Sequence, residues 1–286
     1  MTFRNSFFDT ALIKDKLKKS SWILTLYSII LFFAVTVANA MLIQNIKMEY
    51  ANASEPEKTD RILKHVNSMI SLNNEFVKII IVIFAVVSAL TAFYYINSKK
   101  QVDFYHSLPL CREKLFFISF EAGILYFVLP YIVNVFLTLL ILAGSGLFGY
   151  LSIGSMTANV LINLLYYLAI YSVSVFACVL CGNAIVAILG SCVLLAYFPA
   201  LIFVVFAQLK SYYRTFYSSC YSVTAMVRNA SPAFDFLLAA PRGVGVFRII
   251  AYLFFTAVLI AASAVLYKKR PSEAAGHAMA FRISMP

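Results

Sequence analysis

The chain has 286 residues, of which 62% are hydrophobic and 12% charged, and its formal net charge is +11. Soluble domains contain roughly 45–50% apolar and about 25% charged residues, so this composition excludes a soluble globular fold and indicates a membrane protein. Lys and Arg lie at the ends of apolar runs rather than together on one folded domain. We therefore expect contact with the lipid bilayer and no nucleic-acid partner.

The first element is a basic, weakly amphipathic segment over residues 1–21. Five apolar residues fall near one face of a helix there: Phe3, Phe7, Phe8, Ala11 and Leu12. This pattern predicts a cytoplasmic N-terminal helix lying on the membrane surface. A basic tail without structure is the alternative.

Apolar runs long enough to cross a bilayer follow, since a span needs roughly 20 apolar residues. Four runs meet this requirement: Trp22–Ile43, Val77–Ile96, Phe117–Leu142 and Val246–Tyr267. A fifth stretch, Ala158–Leu209, is about twice the required length and contains Gly182-Asn183, a pair typical of turns. We predict two spans joined by a tight hairpin there. The fold class is then an all-α transmembrane helix bundle of about six spans, over residues 22–267.

The end of the first run contains Ala38-Asn39-Ala40, which is similar to a signal-peptidase site. The run is longer than the apolar core of a signal peptide, which usually has about 7–15 residues. We expect it to remain as a span, with cleavage as the alternative.

Lys and Arg next to the spans predict the orientation. The segments on the N-terminal side of the membrane are 1–21, 97–116, 182–183 and 268–286. They contain more than half of the 23 Lys and Arg residues, in shorter loops than those on the other side. Because positive residues favour the cytoplasmic side, we expect a multi-pass protein of the cell membrane with both termini, including the tail 268–286, in the cytoplasm.

The connection Lys99–Phe116 is unusually apolar for a solvated loop. Phe104, Tyr105 and several leucines alternate there with charged residues. Pro109 suits the first turn of a helix, and Ser107 can cap it. We predict a short amphipathic helix at the membrane surface whose exposed aromatic side chains contact lipid or a protein partner. The alternative is a helix that only connects two spans.

Glu121 lies a few residues inside the third predicted span. An ionisable residue in a span is costly and indicates a functional site by default. The alternative is a position near the interface, with hydration or pairing with Lys114 or Arg112.

Enzymatic motifs are missing from the sequence. It contains no G-x-x-x-x-G-K-[ST] phosphate-binding loop and no H-E-x-x-H, and its three histidines are far apart. The C-x-x-C of Cys178 and Cys181 lies in an apolar run without a second pair. We therefore expect no catalytic residue, no metal site and no cofactor bound by this chain.

Two segments resemble permeases of the ABC-2 type from Gram-positive bacteria. The first is Asp103–Pro109 (DFYHSLP) followed by Arg112–Phe116 (REKLF) and Glu121-Ala122-Gly123. The second is Arg270–Gly276 (RPSEAAG). The order of a surface helix, six spans and an outer segment between the fifth and sixth spans also fits this family.

The resemblance implies the membrane subunit of an ATP-driven exporter. In that family, the connection between the second and third spans carries a coupling helix that docks on a separate ATPase subunit. The implied docking residues are Phe104, Tyr105, His106, Ser107, Leu108, Pro109, Leu110, Arg112, Glu113 and Lys114. The outer segment Lys210–Arg242 would resemble the family's short helices that dip into the outer leaflet.

The same resemblance implies two partners, a cytoplasmic ABC ATPase that holds ATP and Mg²⁺ and a second permease subunit, identical or different. Larger relatives continue beyond the segment that matches Arg270–Gly276, so truncation of this chain stays open. The alternative function is a non-transporting membrane sensor or assembly scaffold that binds a cytoplasmic partner through residues 99–116.

Overall fold

The computed structural model describes residues 10–49, 74–106, 111–213, 220–238 and 245–281. These residues form helices joined by short connections, and an isolated antiparallel bridge pairs Cys181 with Met279. The all-α fold class predicted from the sequence is confirmed.

The α-helices of the described residues are α1 (Thr10–Lys19), α2 (Ser21–Leu31), α3 (Ala38–Glu49), α4 (Glu75–Ala92), α5 (Lys99–His106), α6 (Arg112–Gly144), α7 (Ile153–Leu180), α8 (Ala184–Tyr212), α9 (Cys220–Asn229), α10 (Pro232–Leu238) and α11 (Val246–Lys269). A π-helical stretch, Phe32–Val37, joins α2 to α3 without a break. Short 3₁₀ turns occur at Tyr94–Asn97, Phe148–Tyr150 and Ser272–Ala274.

Within the described residues, six helices are long and apolar enough to cross a membrane. The first runs continuously through α2, the π-helical stretch and α3, and the others are α4, α6, α7, α8 and α11. The predicted hairpin is confirmed, because α7 ends at Leu180 and α8 begins at Ala184. Asn183 caps α8, with its side-chain oxygen accepting a hydrogen bond from the Ile185 N–H at 3.1 Å.

Helix α7 lies at the centre of the bundle and packs against α4, α8 and α11. In its most apolar stretch 61% of the residues are buried, compared with 17% for α8 and 11% for α11. The last two spans therefore present most of their apolar surface outward, as expected for helices that face lipid.

Tyrosine hydroxyls link the buried faces of the spans. Tyr167 donates to the Gly123 carbonyl oxygen at 2.9 Å, and Tyr171 donates to the Phe120 carbonyl oxygen at 3.0 Å. A Cβ atom at residue 123 would overlap the Tyr171 ring, so only glycine allows α6 and α7 to approach this closely. Small residues and interhelical hydrogen bonds are the usual means of association between helices in lipid.

Candidate functional site

One end of the bundle contains α1, the connection between α4 and α6, the α7–α8 hairpin and the segment after α11. The hairpin and that last segment pair through their backbones: Gly182 donates to Ala278 at 3.2 Å, and Gly276 donates to Gly182 at 2.8 Å. We call this the basic end, because it holds most of the lysines and arginines of the described residues. The sequence places these same segments on one side of the membrane; that this side is the cytoplasm stays a prediction.

The short helix of the α4–α6 connection lies earlier in the chain than the sequence pattern predicts. Helix α5 ends at His106, so Phe104, Tyr105 and His106 belong to its last turn rather than to a helix that starts near Pro109. Ser107, Leu108, Pro109 and Leu110 lie outside the described residues.

Tyr105, an implied docking anchor, packs inward. Its ring centroid lies 4.7 Å from that of the buried Tyr95, and its side chain is only partly accessible. The sequence predicts exposed aromatic side chains in this connection. Part of the aromatic surface of α5 instead packs against the bundle.

Arg112, Glu113 and Lys114 form the first turn of the spanning helix α6 rather than part of a separate surface helix. The Arg112 guanidinium donates to the carbonyl oxygens of Lys268 at 3.3 Å and Arg270 at 3.0 Å. Glu113 pairs with the Lys268 ammonium at 2.7 Å. The start of the third span is thereby joined to the end of the sixth.

Arg270 is the central residue of the basic end, and only 5% of it is exposed. Its Nη1 donates to the carbonyl oxygens of Cys178 at 3.0 Å and Val179 at 2.9 Å. Its Nη2 donates to the Ile96 carbonyl oxygen at 3.0 Å and to Asn97 Oδ1 at 3.2 Å. Burial lowers the pKa of Arg270 from its usual value, but a guanidinium stays protonated in proteins. One planar cation thus joins the α4–α6 connection, the end of α7 and the segment after α11.

Two glycines allow the close packing around Arg270. A Cβ at residue 182 would collide with the carbonyl oxygens of Ala274 and His277. Gly276 has a φ of +90°, a conformation that favours glycine, and lies against the Lys99 side chain. The RPSEAAG segment therefore combines a cation that binds carbonyl oxygens with a glycine that lets the chain turn back on the hairpin.

Lys16 of α1 is buried at the same end, with 9% of its surface exposed. Its ammonium hydrogen-bonds the Ser119 hydroxyl of α6 and lies 4.5 Å from the centre of the Tyr95 ring. Burial, and secondarily the charge of Lys19, lower the pKa of Lys16 to about 7. The sequence predicts α1 as a surface helix, and its apolar pattern does not identify this lysine as the residue that points inward.

Glu121 is partly buried on α6. Within the described part of the chain it makes no ion pair or hydrogen bond, and Arg112 binds carbonyl oxygens instead. The predicted alternative of a Glu121–Arg112 pair is therefore not observed.

At the opposite end of the bundle, the buried carboxylate of Asp235 on α10 binds four groups, which the sequence does not predict. Oδ1 accepts from Arg228 Nε at 2.7 Å and Arg248 Nη1 at 2.9 Å. Oδ2 accepts from the hydroxyls of Tyr166 at 2.7 Å and Tyr252 at 2.8 Å. This network fixes the two short helices of the predicted outer segment, α9 and α10, against α7 and α11.

Comparison of the chain with known protein families, with curated proteins and with solved structures finds no match.

Proposed function

We propose that the chain is the membrane-spanning permease subunit of an ATP-driven ABC exporter, in which a separate ATPase docks on the α4–α6 connection. The resemblance of residues 103–116 and 270–276 to ABC-2 permeases supports this function. The observation that carries it is the contact between those segments: the Arg112 guanidinium donates to the Arg270 carbonyl oxygen at 3.0 Å. Arg270 also binds Ile96 and Asn97 at the start of the α4–α6 connection. The two segments that resemble the family form one interaction site.

Movement of the docked connection would reach most of the bundle through that site. The connection is continuous with α4 and α6, and Arg270 links it to α7 and α11. Because a guanidinium has a rigid planar donor geometry, these links act as a unit rather than as flexible tethers. A partner whose affinity differs between two arrangements of the connection would shift the bundle between them.

The remaining parts of the proposal concern orientation and partners. The basic end faces the cytoplasm by the positive-inside rule, so the docking connection is accessible to an ATPase that holds ATP and Mg²⁺. The outward apolar surfaces of α8 and α11 leave room for lipid and for a second permease subunit.

The test is co-purification in mild detergent from the native host. Leu108→Asp with Leu110→Asp should abolish co-purification of the ATPase, because two carboxylates in an apolar docking contact are costly to desolvate. The matched control is Phe148→Asp with Ile153→Asp, two exposed apolar residues at the opposite end of the bundle. Co-purification that persists in the Leu108/Leu110 variant would contradict the docking assignment.

Identification of the co-purifying protein separates the two functions. A protein that hydrolyses ATP and contains a phosphate-binding loop supports the exporter. A kinase or protease bound through the same connection would instead support the sensor or scaffold.

A further inference from the structure

A cavity of about 600 Å³ lies at the basic end between α1, the end of α4 and α5. Its polar lining includes Lys16, Lys19 and Gln101, and its aromatic lining includes Trp22, Tyr94 and Tyr105. Arg270 does not line this cavity, whereas Tyr105 of the implied docking residues does, so the cavity is separate from the Arg270 site and borders the α4–α6 connection.

The cavity contains a buried lysine amine that has no counter-charge among the residues the structure describes. Lys16 is 9% exposed, and among the described residues no carboxylate lies within ion-pair distance of its ammonium. The nearby Lys19 is already paired with Asp15 at 2.9 Å. A buried cation is costly unless it is paired, and the Ser119 hydroxyl and the Tyr95 and Tyr105 ring faces supply dipoles rather than charge. The wall therefore favours an anionic ligand.

The position of the cavity indicates where such an anion comes from. Trp22 is 62% exposed at the start of the first span, and Tyr94 is 52% exposed just after the second span. Exposed Trp and Tyr at the ends of spans lie at the level of lipid headgroups. The last turn of α1 adds Lys16, Lys18 and Lys19, and basic segments at this depth attract anionic lipids.

We propose that this cavity binds the phosphate group of an anionic membrane phospholipid, with Lys16 as its buried cationic contact. The exposed side chains of Lys19 and Gln101 are additional donors at the surface of the cavity. Because α1 and α5 both contribute to the wall, a bound headgroup bridges the N-terminal helix and the α4–α6 connection.

The test is native mass spectrometry of the full chain in detergent, with phosphatidylglycerol compared with phosphatidylcholine. We expect the wild-type protein to prefer phosphatidylglycerol and Lys16→Met to weaken its binding roughly ten-fold, since a hydrogen bond from a charged donor contributes at least that factor. Lys16→Met keeps the length of the side chain and removes a buried unpaired charge, which favours retention of the fold. The matched control is Lys18→Met, the same change of charge at an exposed position outside the cavity.

A second variant covers the case in which Lys16→Met does not fold. Lys19→Met with Gln101→Leu changes only exposed residues of the wall, and we expect it to weaken phosphatidylglycerol binding roughly three-fold, as fits the smaller contribution of exposed charges. Unchanged lipid preference in the folded cavity variants would overturn the proposal. Displacement of the lipid from the wild-type protein by excess inorganic phosphate, absent in Lys16→Met, would overturn the lipid assignment and indicate a site for free phosphate.

Discussion

The two ends of the bundle bury charge in opposite ways. At the basic end, the Arg270 cation binds three backbone carbonyl oxygens and one side-chain amide, all of them neutral. At the opposite end, the Asp235 carboxylate binds two arginines and two tyrosines. The first arrangement stabilises a charge with neutral dipoles, whereas the second stabilises a charge with opposite charges and hydroxyl groups.

This difference has mechanical consequences. Three of the acceptors of Arg270 are backbone carbonyl groups, so its contacts depend on the relative positions of the chain segments that it joins. The groups around Asp235 are individual side chains that converge on one fully buried carboxylate. We infer that the opposite end is the rigid part of the bundle and that the basic end is the part that can rearrange.

The largest effect is expected from Asp235→Asn. It leaves Arg228 and Arg248 near a buried site without their counter-charge, and the loss of one member of a buried pair costs about 3–5 kcal/mol. The two arginines are partly exposed, so we expect a decrease in the free energy of unfolding of about 3 kcal/mol, measured by denaturant titration in detergent. Glu75→Gln, at an exposed position of the same end, is the control and should change stability by less than about 1 kcal/mol. A smaller effect for Asp235→Asn than for Glu75→Gln would contradict the role of this network.

An intermediate effect is expected from Arg270→Lys. A single ammonium cannot contact the three segments that the planar guanidinium joins, and we expect a decrease of about 2 kcal/mol in the free energy of unfolding. Hydrogen exchange provides the sharper measurement: the Gly182 and Gly276 amides should exchange faster, while the Asp235 amide, bonded to Ser231 at 2.9 Å, should not change.

The control for this variant is Lys269→Met, which removes the neighbouring exposed charge. Faster exchange at both ends of the bundle in Arg270→Lys would show that the ends are not independent.

The smallest effect is expected from Glu113→Gln. Its pair with Lys268 at 2.7 Å lies in the open, with side chains 50% and 66% exposed. Exposed pairs contribute about 0–1 kcal/mol, so thermal unfolding of this variant should differ little from that of the wild type. A loss as large as that of Arg270→Lys would mean that this pair, rather than the guanidinium, holds α6 to α11.

Hydropathy predicts the spans well, because each span can be identified from the length and apolar character of its own segment. The hairpin at Gly182-Asn183 also follows from local sequence, as its cap shows. The position of α5 could not be predicted from local sequence. Ser107 and Pro109 suggest that a helix begins there, whereas α5 ends at His106. Helix propensity near the interface is weak compared with the packing of Tyr105 on Tyr95.

The two charged sites could be predicted only in part. Arg270 lies in a segment noted for its family resemblance, but three of its four acceptors are backbone atoms, which leave no sequence signal. The four partners of Asp235 come from three different helices, α7, α9 and α11, and a single Asp in an outer segment is indistinguishable from a solvated one. The sequence does not distinguish Lys16 from its basic neighbours Lys14, Lys18 and Lys19.

The Arg270 contacts also set an order of events during biosynthesis. Arg270 follows Asn97 by 173 positions in the chain, and at about 5–20 residues per second a ribosome needs roughly 10–30 seconds to synthesise that length. During this interval the third to fifth spans are synthesised. The carbonyl group of Ile96, and later those of Cys178 and Val179, lack their guanidinium until it ends. The basic end is therefore completed only after the sixth span has been synthesised, because Arg270 directly follows that span.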